Sequence, residues 1–571
     1  MTADNDCNGG GQCAVCGIPA GQRCAGCQQV SYCGRDHQRH HWKAGHRGQC
    51  RCCKISRNKT LGRHLTATRP IRRGELIYTD APLLLGPKIS SLPLCLGCHR
   101  DLAPLIESHQ QNFHHCRRCG WPLCGPGCET ASQHVEECRL LASPSSKGFR
   151  PQINLNREQP ERKESAYCVV VPLRALLLKR NDPQRYRDGF LSLESHIETR
   201  IQTPLYAVMK SNLIPFVRNV LGMQDQVPEE EELLQIAGIL DTNCYDVRLP
   251  ERGIKIRALY ELGAMMSHHC RPNTRHYFDD ELRLVVVATV DIPKDEVISI
   301  SYAQPLQATI QRRYAIQQAK CFQCGCDRCR DPTEFQTYAG SIICPRCAKE
   351  KVVALDPLDV RSEWQCKSRK CSYRESALDA IRRSEHLQAT IMALARGKSP
   401  CEEYEHFLTT HQSTLHRWNT NVLQVKYALT QLYGRRNDRA TPPESDLRRK
   451  VELCQDLLEV ANRLEPGLSL FREKLLVELR DALLILRNLT HSDSDHVEVQ
   501  PSSSSSSSSA IQGPSPNMHR QSHRINSSGA NTGKSMAQLL EDVVRDLAEM
   551  EELDPTMKKK KCQTARGRLN Y

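Results

Sequence analysis

Cysteine and histidine pairs recur along this chain at metal-ligand spacing, and they constrain its fold more than any other feature. The first cluster runs Cys13-x2-Cys16, Cys24-x2-Cys27, Cys33-x3-His37 and His46-x3-Cys50. The second runs Cys95-x2-Cys98, Cys116-x2-Cys119, Cys124-x3-Cys128 and His134-x3-Cys138. Loop lengths differ, yet the order of pair types is the same. Each framework offers eight ligands, enough for two tetrahedral zinc ions. Short pairs suit a knuckle that presents two sulfurs to one ion. A His–Cys pair at x3 lies about one helical turn apart, so both side chains face one metal. One such pair says little; four in series, twice over, argue against a scatter of buried free thiols.

Two smaller groups follow. Cys324-x-Cys326-x2-Cys329 supplies three ligands and needs a distant fourth. Cys344-x2-Cys347 with Cys366-x4-Cys371 reads as a small zinc ribbon, with Trp364 as packing beside it. Cys7, Cys52, Cys53, Cys168, Cys244, Cys321, Cys401, Cys454 and Cys562 remain, mostly as ordinary thiols. Cys52 and Cys53 stand close enough in sequence to compete for the first cluster's metal.

Thirty cysteines in 571 residues would also suit a secreted, disulfide-stapled protein. The opening MTADNDCNGGGQ has neither the basic nor the apolar region of a signal peptide. The apolar runs near 169–178 and 475–486 are broken by charge and fall short of the roughly 20 residues of a membrane span. Metal is therefore the expected reason for the thiols, and no membrane partner is expected. The net charge of +14 is spread thinly, without the basic stripe of a nucleic-acid reader, so direct nucleic-acid binding is not expected either.

Between the clusters, residues 61–88 read as two or three short strands and residues 165–240 as largely helical. Strand character returns in RLVVVATVDI and EVISISY. The expected fold class is α+β, built on a small, twisted, turn-rich sheet. No glycine-rich turn of the dinucleotide or P-loop kind occurs. Residues 376–495 carry apolar positions at three- and four-residue steps and are expected to form a helical region, repeat-like but without a fixed period. The eight serines Ser502–Ser509 mark a disordered linker. An amphipathic helix at 535–553 and a lysine-rich tail follow.

Three segments resemble a SET domain, the fold of most protein-lysine methyltransferases. They are Leu61-Gly62-Arg63-His64-Leu65, Ser267-His268-His269-Cys270-Arg271-Pro272-Asn273, and Asp295-Glu296-Val297-Ile298-Ser299-Ile300-Ser301-Tyr302. Phe322-Gln323-Cys324-Gly325-Cys326-Asp327-Arg328-Cys329 resembles a post-SET zinc motif. The first cluster, with Tyr32-Cys33, His41-Trp42 and His46, resembles a MYND zinc finger. The layout is similar to that of the SET-and-MYND (SMYD) family, particularly its arthropod branch. It implies a MYND finger at 13–50 and a SET domain at 55–302, split by a second Cys/His-rich insertion at 95–138 and a helical insertion at 165–230. A post-SET motif at 303–330, a ribbon-like module at 340–375 and a helical domain at 376–495 would follow. A linker at 496–534 and a helix with a basic tail at 535–571 complete the arrangement.

The resemblance also implies site residues. Cys13, Cys16, Cys33 and His37 would hold one zinc ion, and Cys24, Cys27, His46 and Cys50 another, with His37 standing where the family usually has cysteine. Cys270 would complete the site of Cys324, Cys326 and Cys329. Counting the second cluster and the ribbon, twenty-one cysteines join His37, His46 and His134 as twenty-four ligands, or about six zinc ions. For S-adenosylmethionine (AdoMet), Gly62 and Arg63 would offer backbone contacts, Asn243 a side chain, His268 its backbone at the adenine, and Phe322 a stacking ring. Tyr302 matches the catalytic tyrosine at the mouth of the lysine channel and also faces the cofactor. Ser267 replaces a cofactor-binding asparagine, and His64 stands where a second glycine is common. Asp295 replaces the glycine of a GEE-type motif, and Lys320 a second channel tyrosine. The expected function is AdoMet-dependent lysine methylation of histone or other proteins in gene regulation, in the cytoplasm and nucleus. The MYND finger would recruit proline-containing peptides or chromatin-associated proteins. The alternative is a SET-scaffold adaptor of little or no activity.

Overall fold

A computed structural model describes residues 11–27, 30–47, 50–102, 114–142, 166–220, 229–249, 255–434, 442–494 and 534–553. The expected Ser-rich linker and basic tail fall almost wholly outside these residues. The chain forms two compact units, residues 1–380 with 464–469, and residues 381–463 with 470–571. Among the described residues, no helix is long and apolar enough to cross a membrane.

In the first unit, β1 (Cys53–Asn58) pairs antiparallel with β2 (Gly62–Ala67). Next come β3 (Leu76–Asp80) and β4 (Pro82–Pro87), then helix α1 (Ser132–Leu141). Helices α2 (Val170–Asn181) and α3 (Pro204–Pro215) fall within the expected helical insertion, and α4 (Glu230–Asn243) carries the helical part past its expected end at 230. Five more strands follow: β5 (Tyr245–Arg248), β6 (Lys255–Tyr260), β7 (Ser267–His268), β8 (Thr274–Phe278) and β9 (Leu284–Ala288). The last strand of this part is β10 (Ser299–Ile300), before helix α5 (Thr309–Lys320).

These strands build several small sheets, in the orders β5-β6-β4 and β8-β9-β3, with β7 parallel to β10. β9, of sequence LVVVA, is buried at every position and lies between two partners. Its β-branched run covers both faces, which suits the centre of a sheet. The chain then returns beneath β2: Ile298 N donates to Leu65 O at 2.9 Å, and Ala67 N to Glu296 O at 2.9 Å. This crossing, with β7 alongside β10, forms a knot-like centre. Asn273 secures it, its Oδ1 accepting from Ser299 N and its Nδ2 donating to Val297 O, both at 2.8 Å.

One apolar core runs through these strands, α2, α4 and the second Cys/His cluster, taking in Leu96, Cys116, Trp121, Leu123 and Leu141. The first cluster has a small core of its own, Cys13, Ala20, Cys24, Cys27 and Tyr32. A four-stranded antiparallel sheet of β11 (Ile342–Ile343), β12 (Lys351–Ala354), β13 (Trp364–Cys366) and β14 (Arg374–Glu375) forms the ribbon module.

Helix α6 (Ala377–Leu394) continues into the second unit, followed by α7 (Pro400–His411), α8 (Thr420–Leu432), α9 (Glu444–Leu464), α10 (Leu470–Ser494) and α11 (Met536–Leu553). In α9 the fully or nearly fully buried Leu453, Leu457, Val460 and Leu464 recur every three or four residues, so one stripe of the helix faces apolar neighbours.

Candidate active site and its zinc clusters

Each expected ligand set comes together. Sites formed by Cys13, Cys16, Cys33 and His37, and by Cys24, Cys27, His46 and Cys50, have all their donor atoms within 4.8 Å of one another. The second cluster divides the same way, Cys95, Cys98, Cys124 and Cys128 against Cys116, Cys119, His134 and Cys138. Its pairs interleave in sequence, as in the first. Cys270 joins Cys324, Cys326 and Cys329 across more than fifty residues, with Sγ–Sγ distances of 3.6 Å to Cys329 and 3.9 Å to Cys324. In the ribbon, Cys344 is 3.7 Å from Cys371, and Cys347 is 3.8 Å from Cys366. With Zn–S bonds of 2.3 Å, the edge of a tetrahedral site is about 3.8 Å, so these donor sets fit zinc. Cys52 and Cys53 stay out of the first cluster. They are buried in the large core, and the Cys52 thiol donates to Ile77 O.

The two fingers share a ligand code but differ in surroundings. In the first, the Trp42 ring is 40% exposed, and Val15 and Ile18 are also open. The Cβ that Gly26 lacks would lie 2.7 Å from Cys50 Sγ, so the close approach of the knuckle to its ligand requires glycine. In the second, Trp121 is fully buried. Glu137 contacts ligand His134 at 3.3 Å through Nδ1, and Arg174 of α2 donates to both Glu137 oxygens at 2.7 and 3.0 Å. Burial, together with the Arg174 charge, pushes the neighbouring His99 down to about 3, leaving it a neutral acceptor for that guanidinium. Carboxylates behind a zinc histidine fix its ring and tautomer.

At the knot, His268, Tyr302 and Phe322 gather, with ring centroids 5.2 Å apart for His268–Tyr302 and 6.1 Å for His268–Phe322. His268 Nδ1 accepts from Tyr302 N at 3.0 Å, so its proton sits on Nε2, which donates to Cys270 Sγ at 3.2 Å. The Tyr302 ring is partly exposed, while its hydroxyl turns inward and donates to Met266 O. Burial pushes that hydroxyl up to about 12, so it remains protonated near neutral pH. Gly62 sits at φ +64 with no atom within 4 Å of its missing Cβ, which leaves the backbone open to a ligand. A cavity of about 440 Å³ opens at the next residue, lined by Ile55, Arg63, Asp188, Ser192, Glu261 and Met265; of the expected cofactor residues only Arg63 lines it. The open Gly62 backbone and the triangle of rings suit a cofactor carrying a flat base.

The departures resolve differently. His64 does not line the cavity; its ring is buried and folds back to Gly62 O at 3.0 Å. Asp295 takes φ +66, a conformation suited to the glycine it replaces. Both amide protons of Asn243 go to carbonyls, those of Glu194 and Ile239 at 2.8 Å, leaving its oxygen for any ligand. The Arg63 guanidinium reaches Ser192, donating to its hydroxyl and its carbonyl. Ser267 lies on the parallel pair, opposite Ser299.

Lys320 ends α5 with its Nζ 5.2 Å from the Tyr302 ring centroid, donating to Thr242 O at 2.5 Å. Arg200 donates to Thr242 Oγ1 and Ala319 O, both at 3.0 Å. Sequence reasoning missed Arg200, His196 and Glu194, which share this corner. A run of polar residues, ESHIETR, inside an otherwise apolar insertion was the signal for them. It also missed Arg312, fully buried, which donates to Cys270 Sγ at 3.2 Å and Cys329 Sγ at 3.5 Å and pairs with Glu334 at 2.6 Å. N–H donors onto thiolates offset the negative charge of a four-cysteine zinc site.

A MYND finger model matches residues 13–50, and a SET domain model matches residues 62–303. The chain is 26% identical over 342 residues to the Drosophila melanogaster SET domain-containing protein SmydA-8, isoform A, covering 57% of this chain and 68% of that one. It is 27% identical over 325 residues to the Arabidopsis thaliana histone-lysine N-methyltransferase ASHR1, covering 53% and 60% of the two chains. To the Mus musculus histone-lysine N-methyltransferase SMYD3 it is 22% identical over 285 residues, covering 47% and 59%. The chain thus places a MYND finger ahead of a split SET domain, a layout similar to that of the SET-and-MYND lysine methyltransferases.

Proposed function

We propose that this chain transfers a methyl group from AdoMet to lysine side chains of protein substrates, histones among them, and that the first finger recruits its partners. The observation that carries this is Tyr302, held at the knot with its hydroxyl turned inward and its ring beside His268 and Phe322. Bound AdoMet supplies the electrophilic methyl. Tyr302, protonated near neutral pH, offers an oxygen lone pair toward an incoming amine while its O–H goes on donating to Met266 O. The outer edge of its ring is exposed, so an approaching ammonium can lose its proton to water before it is enclosed. His268 fixes the Tyr302 backbone, and Gly62 leaves room for close approach of the cofactor. Catalysis of this kind rests on positioning and local electrostatics.

The names of the Arabidopsis and mouse relatives support a histone substrate. A part in gene regulation, in the nucleus as well as the cytoplasm, belongs to the same proposal. The exposed Val15, Ile18 and Trp42 of the first finger suit short proline-containing peptides or chromatin-associated proteins. Calorimetry with AdoMet, followed by labelled methyl transfer to histones and cell extract, tests the enzyme reading. A folded, zinc-loaded protein that binds no AdoMet at millimolar concentration would overturn it. A second reading, a SET-scaffold adaptor, draws support from the Lys320 cation beside Tyr302. It requires that partner capture be lost in Cys24→Ser while Tyr302→Phe leaves the cellular phenotype unchanged.

A further inference from the structure

Lys320 brings an amine to a corner where the proposed chemistry already has one positive group, the cofactor sulfonium. Its Nζ is anchored on Thr242 O and stacked against Tyr302 at 5.2 Å. We propose that Lys320 is a specificity-determining residue whose ammonium discriminates against the sulfonium of AdoMet relative to the neutral thioether of S-adenosylhomocysteine (AdoHcy), and that loss of its proton removes the discrimination. The inference rests on the methyl-transfer reading above.

The groups facing Lys320 define its charge state. Asp241 and Asp246 stabilise the ammonium, as does the Cys244 thiol when ionised. Arg200 opposes it, and His196, on the loop that leads to Arg200, faces it as well. The Tyr302 hydroxyl is neutral near physiological pH. Burial weighs most and, with Arg200, leaves the ammonium easier to deprotonate than an ordinary lysine. A like charge in the same site opposes the sulfonium but not the thioether, and each ~1.4 kcal/mol of that repulsion shifts the ratio of affinities by about tenfold. AdoMet and AdoHcy share the same amino, carboxyl and adenosine groups, so the ratio of their affinities isolates the sulfonium.

Calorimetry on the full, zinc-loaded chain tests this with both ligands near pH 7 and again at alkaline pH. Wild type is expected to bind AdoHcy about tenfold more tightly than AdoMet near pH 7. That ratio should fall as pH rises toward the lowered Lys320 pKa. K320M should bring the two affinities within about threefold of each other, and K320R should keep the wild-type ratio. Equal affinities in wild type, or a ratio unmoved by both K320M and pH, would overturn the proposal. If K320M does not fold, the wild-type pH series alone decides. Failure of both ligands to bind wild type and K320M would instead overturn the methyl-transfer reading, and this inference with it.

Discussion

The imidazole of His268 bridges the predicted catalytic tyrosine and a zinc ligand, accepting from Tyr302 N at 3.0 Å and donating to Cys270 Sγ at 3.2 Å. Metal site and active site therefore share one side chain. His268→Ala is expected to weaken zinc at the post-SET site by about ten- to a hundredfold, the usual cost of losing a partner behind a metal ligand. Native mass spectrometry during a chelator titration checks this. One ion should leave early, while the first finger keeps both of its own.

Tyr302→Phe removes the hydroxyl that faces Met266 O. Losing one oriented hydrogen bond in the transition state costs about 1–3 kcal/mol, so kcat should fall by roughly ten- to a hundredfold. AdoMet affinity by calorimetry should stay within about threefold of wild type. A kcat equal to wild type would remove Tyr302 from the chemistry.

The two fingers should respond in opposite ways to mutation. Arg174→Met leaves buried Glu137 without its partner and should destabilise the first unit by about 3–5 kcal/mol. Trp42→Ala cuts back a side chain that is 40% exposed and should leave the melting temperature within about 2 °C of wild type. Its effect should appear in peptide capture. Differential scanning calorimetry paired with a pull-down separates the two outcomes.

Much of this was legible in the chain. Zinc ligands cluster locally because a knuckle needs two donors within a few residues, so Cys13–Cys16 and Cys116–Cys119 announce themselves. Cys270 does not, since the structure must bring it across more than fifty residues to Cys324 and Cys329. Only the resemblance to a SET domain pointed to it. The Glu137–Arg174 and Arg312–Glu334 pairs were invisible for the same reason, because nothing in a charged residue's neighbours says which distant charge it meets. Lys320 was visible as a departure, but its posture against Tyr302 was not. Nor does the shared ligand code show that Trp42 faces outward and Trp121 inward; that depends on which finger the core absorbs.

Asp295 adopts the left-handed conformation at φ +66 where glycine is the unstrained choice. Asp295→Gly should stabilise the chain by about 1 kcal/mol, less the small loss of an exposed contact to Lys54. Urea midpoints of the two proteins give the comparison.

Glu334 carries the acid sensitivity of the post-SET flank. Burial would raise its carboxyl, but the Arg312 and Arg328 charges outweigh burial and hold it below the usual 4.5. Its contribution to stability is therefore complete above pH 4.5 and is lost as pH falls through the lowered value. Glu334→Gln should be less stable by about 3–5 kcal/mol at pH 7, and the gap to wild type should close in acid. Urea unfolding across that pH range reads the difference directly.

The union of Cys270 with Cys324, Cys326 and Cys329 has one more consequence. Zinc there closes a loop of about fifty-five residues, and by the loop-closure relation for cross-links this restricts the unfolded chain by about 4 kcal/mol. A disulfide spanning the same positions would restrict it equally, but any cellular thiol reductant could cut it. The metal staple is indifferent to reductant and yields instead to a competing chelator. Zinc supply, rather than redox poise, thus becomes the environmental variable that decides how firmly this chain holds its knot.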